Sequence, residues 1–66
     1  MLYFEVEMET TTGYFSQIVG VPTDNKFHAE KITSKYCQKL AKDYNATVSM
    51  NPVELKQGEK FKLLQG

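Results

Sequence analysis

Sixty-six residues with one cysteine, eight lysines, no arginine and a formal net charge of zero leave room for one small domain, residues 1–66, and for no second one. A chain of this size buries only about 60% of the surface it exposes when unfolded, and a single thiol makes neither an intrachain disulfide nor a multi-cysteine metal site. Self-association, as a two-fold homodimer, is the remaining support the composition suggests. No stretch approaches the roughly 18 apolar residues of a membrane span. Leu-Tyr-Phe followed by three glutamates lacks the basic and apolar regions of a signal peptide, so the expected compartment is the cytoplasm, without membrane contact.

From Leu2 to Glu9 the alternation is clean. Leu2, Phe4, Val6 and Met8 point one way, and Tyr3, Glu5, Glu7 and Glu9 the other, which predicts a half-buried strand over 2–10. Thr10-Thr11-Thr12-Gly13 reads as a hairpin turn in which Gly13 is free to take positive φ. A second strand is expected over 14–21, where Pro22 ends it. Its two parities, Phe15, Gln17, Val19 and Val21 against Tyr14, Ser16, Ile18 and Gly20, both carry large hydrophobes. Whichever set faces the core, the other leaves apolar area on the open face of the sheet.

Thr23, Asp24 or Asn25 supplies an N-cap for a helix over about 25–44, stopped by Asn45 in the left-handed conformation. Setting Ile32 at zero and adding about 100° per residue gathers Ile32, Tyr36, Ala29, Leu40, Thr33, Tyr44 and Cys37 into one arc of roughly 140°, the expected core stripe. Lys31, Lys35, Gln38, Lys39 and Lys42 take the opposite arc. Ala46 to Met50 reads as a third strand interrupted by Asn51-Pro52. Val53–Leu55 and Lys60–Leu64, joined through Lys56-Gln57-Gly58-Glu59, suggest a second small hairpin, and the tail 56–66 is either a short strand or frayed. The expected fold is α+β: a small ββαβ(β) domain with one amphipathic helix packed on one face of a largely antiparallel sheet.

No catalytic constellation is legible. His28 and Cys37 are nine residues apart, about half a turn, so on one helix they face opposite sides and do not pair as imidazole and thiolate. One His, one Cys and scattered carboxylates make no zinc or calcium ligand set, and no phosphate-binding loop is present, so neither metal nor cofactor is expected. Two charged surfaces remain. The expected function is that of a small non-catalytic protein-binding or regulatory module working through its open sheet face. There Tyr3, Glu5, Glu7 and Glu9, with Tyr14 or Phe15 beside them, would meet a protein partner. An alternative is a weak, sequence-nonspecific nucleic-acid binder using Lys31, Lys35, Lys39 and Lys42, although lysine lacks the bidentate fork that phosphate and guanine recognition favour. A second alternative, an accessory subunit of a larger enzyme, would look the same in sequence.

Overall fold

The computed structural model describes residues 1–65; the expectation for residue 66 lies outside them. The elements follow the order β1 (Leu2–Thr10), β2 (Gly13–Val21), α1 (Lys26–Tyr44), β3 (Thr47–Val53) and β4 (Lys62–Leu63). They form one four-stranded sheet of order β3-β1-β2-β4 with the helix on one face. β1 pairs antiparallel with both β2 and β3, while β4 runs parallel to β2, so the sheet is mixed.

The β1–β2 turn is closed differently from the sequence expectation. Gly13 is not among the positive-φ residues. The Thr10 hydroxyl does the work instead, accepting the Thr12 amide at 3.2 Å and donating to the Gly13 carbonyl at 3.3 Å. Register then settles the parity of β2. Phe4 faces Val19 and Leu2 faces Val21, which puts Phe15, Gln17, Val19 and Val21 on the helix side, and Tyr14, Ser16, Ile18 and Gly20 on the open side.

Asn25 is the N-cap, its side chain accepting the His28 amide at 3.1 Å, and Asn45 ends the helix with φ 50°. The buried stripe runs through Ala29, Thr33 and Cys37, with Ile32, Tyr36 and Leu40 only half-buried and Tyr44 exposed. The stripe thus lies inside the predicted arc but is shifted toward its Cys37 side, leaving Ile32 at the opposite edge. The reason is position: α1 lies nearer β3 and β1 than β2, so its Ile32–Tyr36 flank overhangs the β2 side. There the Tyr36 hydroxyl donates to Gln17 Oε1 at 2.7 Å, and the Lys62 ammonium sits 5.8 Å from the Tyr36 ring centroid. Thr33, the one buried polar residue among the described residues, donates its hydroxyl to the Ala29 carbonyl at 2.9 Å.

Two expectations for the second half are corrected. β3 continues through Asn51-Pro52 to Val53 rather than stopping at Met50. It is an edge strand, where proline's missing donor does not have to serve a second neighbour. The segments 53–55 and 60–64 do not form a hairpin. Residues 56–59 make a turn, with the Glu59 amide donating to the Lys56 carbonyl and Gly58 at φ 86°, and the chain then crosses the sheet to lay β4 beside β2. The tail is not frayed at Leu64, which is buried and donates its amide to the Gly20 carbonyl at 2.8 Å.

Topology explains that crossing. β2, β3 and β4 all run in one direction, and the connection β2-α1-β3 crosses the sheet one way while β3 to β4 crosses back. Two opposite crossings keep the same hand only if they pass over opposite faces. The helix covers one face, and residues 54–61 bring Phe61 onto the other.

Candidate functional site

Glu5, Glu7 and Glu9 stand in line on the open face, spaced by about 6.8 Å along the strand next to both β2 and β3. Their cross-strand neighbours are Ile18, Ser16 and Tyr14 on one side and Asn51, Ser49 and Thr47 on the other, with no base among them. Adjacent carboxylates at that spacing repel by about 0.6 kcal/mol in water before salt screening. Among the described residues no ion pair within 4.0 Å offsets it, although Lys60 and Lys62 line a hollow together with Glu5, Ile18 and Phe61. Among the described residues the ion pair within 4.0 Å joins the Met1 ammonium to Asp24, remote from this row. Tyr14 leans diagonally across the hairpin to donate its hydroxyl to Glu7 Oε2. That bond, which ionisation would destroy, holds the Tyr14 hydroxyl above the ordinary tyrosine range, helped by partial desolvation and by the negative field of Glu7 and Glu5.

The other end of the open face is apolar and covered. Phe61 meets Tyr3 edge to face, with centroids 5.2 Å apart and planes at 79°. Its ring also lies over Gly20, where a Cβ would come within 2.8 Å of Phe61 and 3.0 Å of the Met1 sulfur. Register places Leu63 on the same face beside Gly20. The crossing segment therefore screens the apolar end of the face and leaves its acidic end open.

Of the residues singled out from sequence, Tyr3, Glu5, Glu7, Glu9 and Tyr14 share this face, and Phe15 does not. Phe15 pairs with Met8 on the helix side, half exposed. Gly20 and Phe61 were missed. An isolated glycine inside a strand signals a close approach, and that was the available cue.

Three helix lysines assemble on the opposite outer surface. Lys31, Lys35 and Lys39, with His28, line a groove of about 400 Å³ whose apolar wall is Ile32, Tyr36 and Leu64. Lys42 is exposed but lies outside this groove. The groove exists because α1 overhangs β2 and the C-terminal segment fills only part of the gap. His28 is exposed in the first turn, whereas Cys37 is buried under the helix with its thiol pushed up by desolvation, and the structure does not bring the two together. Among the described residues no group of three or more His, Cys, Asp or Glu is placed to hold a metal, and no helix is long and apolar enough to cross a membrane. No family model, curated protein or solved structure matches the chain.

Proposed function

We propose that this chain is a small non-catalytic binding module that docks a basic protein surface on the acidic end of its open sheet face. The observation carrying this reading is the row Glu5, Glu7 and Glu9: three carboxylates on a paired strand, flanked by six uncharged cross-strand neighbours, while Lys31, Lys35 and Lys39 line a groove on the helix side. Rigid placement matters because a partner then loses no strand entropy in meeting the row. Tyr14 adds an aromatic surface already oriented by its bond to Glu7. Tyr3, under Phe61, supports the rim rather than the contact.

The test is affinity capture from the native host with wild-type, Glu7→Lys and Lys35→Glu baits. A protein held by the wild-type and Lys35→Glu baits and lost from Glu7→Lys supports the reading. Equal capture by Glu7→Lys overturns it. A second reading, weak anion or nucleic-acid binding, draws on the unpaired Lys31, Lys35 and Lys39 around one groove. With no arginine and few contacts it would be sequence-blind and salt-labile, and nuclease release of bound material from the wild-type bait but not from Lys35→Glu would favour it.

A further inference from the structure

We propose that the surface docked on the acidic face is the lysine face of a second copy of this chain, so that copies stack sheet to helix, head to tail. This rests on reading the open face as a docking surface and names what docks there.

The two rows match in pitch. Glu5, Glu7 and Glu9 repeat every two strand residues, about 6.8 Å, and Lys31, Lys35 and Lys39 repeat every four helical residues, about 6 Å. Laid against each other, three carboxylates meet three ammonium groups with a mismatch of under about 2 Å over the whole row. Both rows stand on regular elements, and neither has an ionic partner within 4.0 Å among the described residues. They occupy opposite outer surfaces of a two-layer fold, one the free face of the sheet and the other the solvent side of the helix. No copy can satisfy its own.

Symmetry selects the arrangement. A two-fold dimer closing through either face, the association that chain size alone suggests, would set like charge against like. Pairing edge to edge is also poorly served, because β3 carries Pro52 and β4 is two residues long. The contact that neutralises both rows is heterologous, and it leaves an acidic face free at one end of every stack and a lysine face free at the other. Ile18 and Tyr14 beside the glutamates, and Ile32 and Tyr36 beside the lysines, give the contact apolar area from which water is excluded.

The test uses sedimentation of three chains at submillimolar concentration in low salt. These are the wild type, a Glu5→Gln, Glu7→Gln, Glu9→Gln variant, and a Lys31→Gln, Lys35→Gln, Lys39→Gln variant, with circular dichroism to verify each fold. The wild type is expected to form species beyond the dimer whose size grows with concentration. Each variant alone stays at the monomer mass of 7.6 kDa. An equal mixture of the two variants, which retains one intact acidic face and one intact lysine face, forms a one-to-one pair and nothing larger. Salt at about 0.5 M, where the screening length falls to a few Å, weakens that pair at least tenfold. A wild type that stays monomeric, a closed dimer indifferent to either variant, or a mixture that remains monomeric overturns the stack. If the wild type is monomeric yet Glu7→Lys still loses a captured host protein, the stacking fails and the docking reading stands.

Discussion

The ring of Phe61 occupies the space that a side chain at residue 20 would fill: a Cβ on Gly20 would lie 2.8 Å from Phe61 Cδ2. Gly20→Ala therefore expels the ring or shifts the strand, at a cost of about 1–3 kcal/mol. Phe61→Ala removes the obstacle and loses the Tyr3 contact. The double variant is expected to be more stable than the sum of the single losses implies, by at least about 0.5 kcal/mol, in urea melts. Strict additivity would show that Phe61 does not rest on Gly20.

Burial sorts the core substitutions. Val19 is fully buried between β1 and the helix, so Val19→Ala should lose about 2 kcal/mol, a large share of the stability of so small a domain. Leu40, which the helical arc assigned to the core, is only half-buried, and Leu40→Ala should cost about half as much. Denaturant midpoints for the two variants check the order, and a larger loss at Leu40 would contradict the shifted stripe.

Two tyrosines link stability to alkaline pH. Tyr14 is held above 10.0 by its bond to Glu7, and Tyr36 by desolvation, with the nearby Cys37 and Tyr44 adding to it. A folded-state pKa above the unfolded one means that the folded form binds more protons above pH 10. The contribution is complete below that pH and falls as pH rises through the folded values. Tyrosinate absorbance should show a late-titrating component that Tyr14→Phe removes in part, with no tyrosine-linked change in stability between neutral pH and pH 9.

Cys37 reports opening of the helix from the sheet. Its thiol is buried and its ionisation disfavoured, so alkylation in the native state should run at least about 100-fold slower than in denaturant. Cys37→Ala and His28→Ala, made separately, should each leave partner capture within a few-fold of wild type, because neither residue lies on the acidic face.

Local pattern carried much of this architecture. The alternation of β1 and the left-handed Asn45 need no information beyond neighbouring residues and stand where the sequence puts them, while the cap falls to Asn25 among the three candidates Thr23, Asp24 and Asn25. The parity of β2 did not follow, because both sets are apolar and the decision belongs to the β1 register and to Phe61, which arrives from far along the chain to cover the losing face. The same distance hid β4, a two-residue strand with no periodicity of its own. Pro52 reads as a strand breaker until β3 is known to lie at an edge. For the acidic row, Glu5, Glu7 and Glu9 were visible as a pattern, but their lack of basic neighbours is a property of β2 and β3 alignment that no single strand contains.

The crossing segment is also tethered differently from the rest of the sheet. β1 and β2 meet through a tight local turn, whereas Val19 meets Lys62 across the whole length of the helix and β3. Closing a long loop costs more chain entropy than closing a tight turn, and a two-residue strand offers few bonds to hold it, so the segment holding Phe61 and Leu64 is expected to open locally before β1 and β2 do. An opening of that kind would bare Tyr3, Ile18 and the backbone of Gly20 while the carboxylate row beside them stays on its paired strand. The face would then present an apolar cleft alongside its acids, and the grip of one phenylalanine sets how often.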